Sequence, residues 1–381
     1  MRHEYRNIMV VAGEASGDMH AASLVEALQR RDDRLRFYGV GGEKLRRAGV
    51  RLIADSADMA VVGLTEVFAK LPFILKVMRQ LKNSFPAEKP EVVILVDYPD
   101  FNLALAKAAH RRGIKVFYYI APQIWAWRKA RIGKIRKYVD KMAVILPFEA
   151  TLYHEAGVDA VFVGHPLLDL IPPPCSKEEA RRIIGLKEDV TTVGILPGSR
   201  PGEVARLLPV CLKTAEIMNR ESRLQFALPL AGALSRNFVE DVIGRRGVKV
   251  AVVDDGVYNV LSASDLAIVA SGTATLETAL METPMIIIYR VSLPSYILGR
   301  IFIQVKNIGL ANIIAGKTIV PELVQTEANP QRIARVAQEL LEDESKTEEM
   351  KLELSKLKNK LGTPGAADRA AQIVCSMLGE A

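Results

Sequence analysis

Long uninterrupted apolar runs are missing from this 381-residue chain, and it holds only three cysteines. No apolar stretch reaches the roughly 20 residues that a bilayer-spanning helix needs without a charged residue breaking it, so an integral membrane protein is not expected. Cys175, Cys211 and Cys375 lie far apart without Cys-x-x-Cys spacing. That indicates neither a zinc site nor a disulfide framework, and it suits a reducing cytoplasm. The first apolar segment, residues 8–12, is too short for the core of a signal peptide. No short solenoid-type repeat is visible. The Gly-x-Gly-x-x-Gly fingerprint of a dinucleotide site and the Lys–Ser/Thr ending of a Walker loop are also missing, which sets ATPase chemistry aside.

What the chain does contain is ample core material. Apolar residues make up 49% and charged residues 25%, the balance of a soluble globular protein. A chain of this length exceeds what one core usually supports, so two domains are expected. The net charge of +7 suits anionic company, whether nucleic acid, phosphorylated substrate or membrane surface, and solubility alone is the plain alternative.

Strand and helix signals alternate along the first half. Apolar or β-branched runs at 8–12, 35–40, 92–96 and 116–120 read as strands, and Leu24 and Leu28 mark a helix over 21–31. Continuous apolar strands separated by helices predict a parallel sheet covered on both faces. Around Gly164-His165-Pro166 the character changes, and Pro172-Pro173-Pro174 follows as a stiff connector. Beyond it the scheme repeats, with strands at 193–196, 224–228, 248–253, 266–270 and 285–289 and a helix over 203–220. The fold class is therefore α/β, with two doubly wound parallel-sheet domains, 1–170 and 171–345, and a cleft between them. Residues 346–381 read as a charged helical segment ending in a helix over 365–378. Ligands of such sheets bind at the C-terminal strand ends.

Several motifs sit at those ends. Leu196-Pro197-Gly198-Ser199-Arg200 runs from a strand through a glycine loop into a helix. Free backbone N–H groups and the helix dipole favour an anion there, and Arg200 adds a fork of donors suited to phosphate. A tight turn that merely needs Gly198 is the structural alternative. Ser271-Gly272-Thr273 likewise follows an apolar strand, with Ser271 or Thr273 placed to cap the next helix. Glu277, about one turn in, can accept hydrogen bonds from ribose hydroxyls. Helix capping alone would explain this second loop, but two such loops in one domain point to a nucleotide. Glu14 and Ser16 in Gly13-Glu14-Ala15-Ser16-Gly17-Asp18 follow the first strand, where Asp18 or Ser16 could instead serve as a cap.

Asp97 ends a strand of five aliphatic residues. Partial desolvation there would give it the raised pKa of a general base, and Asp100 fits the helix cap better. Gln123, Trp125 and Trp127 occupy a loop after another strand. Six basic residues between Arg128 and Lys137 follow, suited to nucleic acid, an acidic headgroup or a phosphate, or to a solvated helix face. Val62, Val67, Phe68, Leu71, Phe73 and Ile74 form an apolar stripe interrupted by lysine and arginine. Ile297 and Phe302 belong to a second such stripe. Core packing is the usual meaning of such stripes; basic residues within both favour membrane or acyl-chain contact.

Taken in order with Gly164-His165-Pro166, Leu310-Ala311-Asn312-Ile313 and Pro321-Glu322-Leu323, these motifs closely resemble those of the lipid-A-disaccharide synthases, glycosyltransferases of the Gram-negative lipid A pathway. The resemblance spans essentially the whole chain. It implies a GT-B architecture, with the donor half C-terminal and the end of the chain packing back on the first domain. It implies UDP-2,3-diacylglucosamine as donor, 2,3-diacylglucosamine 1-phosphate (lipid X) as acceptor, and a β-1,6-linked disaccharide 1-phosphate plus UDP as products. In that reading Asp97 is the base, and Gly198, Ser199, Arg200, Ser271, Gly272, Thr273, Glu277 and Asn312 hold the donor. Glu14, Ser16, Gln123 and Trp125 line the sugar and acceptor side. No cofactor, metal or nucleic acid is expected. Peripheral attachment to the anionic cytoplasmic face of the inner membrane is, and homo-oligomerisation is left open. A UDP-sugar 2-epimerase of similar fold is the alternative, followed by a non-catalytic lipid- or nucleic-acid-binding protein.

Overall fold

The computed structural model describes residues 5–59, 64–122, 131–173, 175–232, 234–254, 256–291 and 307–379. The chain divides into two compact units, one made of Met1–Asp169 with Leu361–Ala381, the other of Leu170–Lys360.

The sheet of the first unit contains β1 (Arg6–Ala12), β2 (Leu35–Gly41), β3 (Arg51–Asp55), β4 (Val92–Val96), β5 (Lys115–Tyr119), β6 (Lys141–Val144) and β7 (Ala160–Phe162). Their order is β3-β2-β1-β4-β5-β6-β7, and all neighbours are parallel. Parallel strands need crossover helices, which cover both faces and bury the central strands completely. β4 shows why its sequence is aliphatic throughout. Val93 and Leu95 enter one core with Phe101 and Leu105, whereas Val92, Ile94 and Val96 enter the opposite core with Leu24 and Leu28. The strand order reverses direction between β1 and β4, which makes their C-terminal ends the switch point of this sheet.

The second unit repeats the plan with β8 (Thr192–Leu196), β9 (Gln225–Leu230), β10 (Val250–Asp254), β11 (Leu266–Ala270), β12 (Met285–Tyr289) and β13 (Glu322–Val324). The order is β10-β9-β8-β11-β12-β13, again parallel, with its switch point between β8 and β11. Both of those strands are buried along their whole length.

The last part of the chain is partitioned differently from the expected division at 346. The helix Glu344–Lys360 stays with the second unit, where Met350, Leu354 and Leu357 form a buried stripe. It packs beside the helices Thr273–Leu280, Leu310–Ala315 and Pro330–Glu342. The chain returns to the first unit only at Leu361, turning through Gly362 and Gly365 at φ +87° and +95°, a region that favours glycine. The final helix, Ala366–Leu378, then buries Ala370, Ala371 and Val374 against the helix Ala15–Gln29.

Candidate active-site residues

In the first unit, β1 and β4 are register neighbours with Ala12 opposite Val96, so the loops that follow them emerge side by side. Asp97 and Tyr98 are both left-handed, at φ +48° and +46°. Two successive non-glycine residues in that region cost on the order of 1 kcal/mol or more each and persist only where the surroundings enforce them. Here the Asp97 carbonyl accepts hydrogen bonds from Asn102 Nδ2 at 2.7 Å and from the Tyr118 hydroxyl at 2.5 Å. The Tyr98 ring lies directly over Gly13, where a Cβ would come within 2.3 Å of the ring, so only glycine fits beneath it. Burial pushes the Asp97 carboxyl up to about 6, the nearby Glu14 carboxylate adds to the rise, and the Tyr98 N–H opposes it. A carboxylate poised near neutrality at a strand end has the property a general base needs.

The surroundings of Asp97 differ from expectation in two respects. The helix after it starts at Pro99 with Tyr98 as its N-cap residue, so Asp100 lies within the first turn and is not a cap. Asp18 caps neither its own helix nor the loop. It is buried and accepts the N–H groups of Gly42, Lys44 and Leu45 at 2.6, 3.0 and 3.2 Å, closing the start of the helix Glu43–Arg47. Glu14 is the N-cap residue of the helix Ala15–Gln29, and Ser16 is exposed in its first turn. Gln123 and Trp125 lie outside the described residues.

In the second unit, β8 and β11 are paired with Leu196 opposite Val269, which brings the two glycine loops to one edge. Gly198 has φ +116°, and a Cβ there would lie 2.1 Å from Glu203 Oε2. The Glu203 carboxyl is therefore folded over the glycine. Burial raises its pKa, while the Arg200 charge and the N–H groups of Ser199 and Arg200 pull it down. This is a third-position carboxylate reaching back to a helix start. The loop N–H groups read as free from the sequence thus already face an internal anion. Ser199 and Arg200 are exposed, and Arg200 is the N-cap residue of the helix Pro201–Glu221.

At the second loop, neither Ser271 nor Thr273 caps. Gly272 is the N-cap residue of the helix Thr273–Leu280, and Ser271 donates its hydroxyl to the Ile308 carbonyl at 3.0 Å. Gly272 and Thr273 are exposed, and a Cβ on Gly272 would meet nothing within 4 Å, so the backbone is open to an approaching ligand. Burial raises the Glu277 carboxyl, opposed by a hydrogen bond from Tyr258.

Asn312 is not available to a ligand. It is fully buried, its Oδ1 accepts from the N–H groups of Ile319 and Val320 at 2.7 and 3.0 Å, and its Nδ2 donates to Val320 O and Glu322 Oε1 at 2.9 and 2.7 Å. Those bonds use the side chain's hydrogen-bonding capacity. Glu322, missed as a functional residue, also accepts from the N–H groups of Ile308 and Gly309 at 2.8 and 3.0 Å. Asn312 and Glu322 together fix the segment that Ser271 touches.

The apolar stripe on the helix Leu64–Glu88 also changes its membership. Phe73 and Ile74 pack against the core, because they share the helix face of buried Val77 and Met78. Leu71 and Leu75 are the exposed pair, at 42% and 59%. Val62, Ile297 and Phe302 lie outside the described residues, as do the side chains of Val67 and Phe68. Among the described residues, no helix is long and apolar enough to cross a membrane.

A family model described as Lipid-A-disaccharide synthetase matches residues 8–375. A lipid-A-disaccharide synthase from Syntrophus aciditrophicus is 54% identical over 373 residues, covering 97% of this chain and 97% of the relative. Among solved structures, the calicheamicin glycosyltransferase superposes with a TM-score of 0.62 at 16% identity, covering 100% of this chain and 99% of its own. A UDP-GlcNAc 2-epimerase from Neisseria meningitidis, bound to UDP-GlcNAc, gives a TM-score of 0.59 at 12% identity over 98% and 99% of the two chains. At such identities the likeness concerns the fold, which is GT-B.

Proposed function

Because the chain belongs to the lipid-A-disaccharide synthetase family and is a glycosyltransferase, we propose that it joins UDP-2,3-diacylglucosamine to 2,3-diacylglucosamine 1-phosphate. The products are UDP and a β-1,6-linked disaccharide 1-phosphate. The epimerase alternative has only a shared fold behind it.

The observation that carries the mechanism is the raised, partly buried Asp97 carboxyl on its constrained strand-end loop. Forming a β bond from an α-linked donor requires inversion, which one in-line displacement accomplishes. Asp97 takes the proton of the acceptor 6-hydroxyl as that oxygen bonds to the donor's anomeric carbon. The bond from that carbon to the diphosphate breaks, and its electron pair leaves with UDP. Arg200, the Gly198-Ser199 loop and the start of the helix Thr273–Leu280 hold the diphosphate and stabilise the charge that develops on it. Glu277 accepts from the ribose hydroxyls. Glu14 and Ser16 flank the acceptor sugar.

The enzyme works peripherally on the anionic cytoplasmic face of the inner membrane. Leu71 and Leu75, one turn apart and followed by exposed Arg79, support this with a small apolar-basic face. Co-sedimentation with anionic but not neutral vesicles tests it, and equal sedimentation with both would remove the electrostatic part.

Incubating the protein with both lipid substrates and searching for the disaccharide by mass spectrometry tests the reaction. Release of UDP without a disaccharide, or a change of donor configuration without acceptor, would overturn it.

A further inference from the structure

Arg131 opens the helix Arg131–Tyr138, which packs on the helix Pro99–His110. Its side chain is only 17% exposed, while its ion-pair partner Asp100 is 74% exposed. The bond from Nη2 to Asp100 Oδ2 measures 2.7 Å, and Asp100 lies three residues beyond Asp97. Among the described residues, Nε of Arg131 is buried without a hydrogen-bond partner. A guanidinium cannot shed its charge, so an unfilled donor on a largely buried cation is an unfavourable arrangement until an acceptor completes it. Asp100 engages Nη2 of the fork through Oδ2.

The position of this cation is informative. Its charge acts on the Tyr118 hydroxyl, which donates to the Asp97 carbonyl, and on Tyr153, whose hydroxyl donates to Pro122 O at 2.9 Å. The cation is thus tied to the helix that follows Asp97, through a residue three positions beyond that carboxylate. An acceptor sugar has the same layout, with the reacting hydroxyl and the anomeric phosphate at opposite ends of the ring. Exposed Lys134, Arg136 and Lys137 on the same helix add positive potential to this surface.

We infer that Arg131 binds the phosphate monoester of the acceptor, an inference that rests on the glycosyl-transfer reading above. Arg131 is then a substrate-binding residue that discriminates phosphorylated from unphosphorylated acceptors. The test compares lipid X with its dephosphorylated counterpart in the wild type, Arg131→Lys and Arg131→Met, each checked by thermal melting. The expected result is a rise in KM for lipid X of about tenfold or more, as for a lost charge-assisted fork, with donor KM unchanged. Turnover of the dephosphorylated acceptor should be the same in all three proteins, and Arg131→Lys should recover part of the loss. Should Arg131→Met not fold, the Lys variant decides alone. Equal losses with both acceptors, or an unchanged KM for lipid X, would overturn the assignment. A wild type that makes no disaccharide with either acceptor would instead refute the glycosyl-transfer reading.

Discussion

Replacing Asp97 with asparagine should make the protein more stable and nearly inactive. In the unfolded chain this carboxyl titrates near 3.8, and in the fold burial moves it to about 6. A raised carboxyl pKa means that the folded state holds the proton more tightly than the unfolded one. Its contribution to stability is therefore greatest below the unfolded value, declines as pH rises between 3.8 and about 6, and stays low above that. At about 1.4 kcal/mol per pH unit the full effect approaches 3 kcal/mol, and the side chain's partial exposure to water trims it to roughly 2–3 kcal/mol. Asparagine has the same shape without the charge, and it tolerates φ +48° better than most residues. The bonds from Asn102 and Tyr118 reach the carbonyl, so they survive the change. Urea unfolding at about pH 8 should show Asp97→Asn more stable by roughly 2–3 kcal/mol, and the gain should vanish near pH 4. Disaccharide formation should fall by roughly 10²–10⁴-fold with donor binding intact. A variant no more stable than wild type at the higher pH, or a gain of the same size at both, would refute the reasoning.

Arg200→Ala should weaken UDP binding by roughly 10–100-fold in calorimetry, the range for a lost charge-assisted contact; unchanged affinity would remove Arg200 from the donor site. Glu203→Gln should strengthen UDP binding severalfold above neutrality, because it removes a negative charge from the loop that receives the diphosphate. For the wild type, UDP affinity should rise as pH falls into the raised titration range of Glu203, and that dependence should be lost in the variant. Asn312→Ala should destabilise the second unit by roughly 2–3 kcal/mol, since two N–H groups lose their acceptor. Normal stability with weakened UDP binding would show that Asn312 is a ligand after all.

Which features the sequence revealed follows from burial. β1, β4, β8 and β11 are covered on both faces, so each appears as a continuous aliphatic run. β3, β6, β7 and β13 lie at or near sheet edges, are short or mixed in character, and carry no such run. The strand-end positions of Asp97, Gly198 and Gly272 were legible because topology alone puts them there. What these positions bond to was not. Asp18 looks like a local cap yet closes the helix Glu43–Arg47, and Asn312 looks like a polar ligand yet is spent on its own loop. The Glu203 carboxylate over Gly198 follows from helix geometry, but competing with a diphosphate becomes visible only in the folded loop. Phe73 and Leu75 illustrate a further limit. Both sit in one apolar-basic stripe, and only the fold decides which packs inward.

The dependence of kcat/KM on pH for disaccharide formation, measured against acceptor, tests the central claim most directly because it reports the free enzyme's essential base. With Asp97 as that base, activity should rise about tenfold per pH unit at low pH and level off above about 6, and this limb should be missing from the residual activity of Asp97→Asn. A wild-type profile that stays flat down to the ordinary carboxylate range, or a limb that persists in the variant, would contradict it.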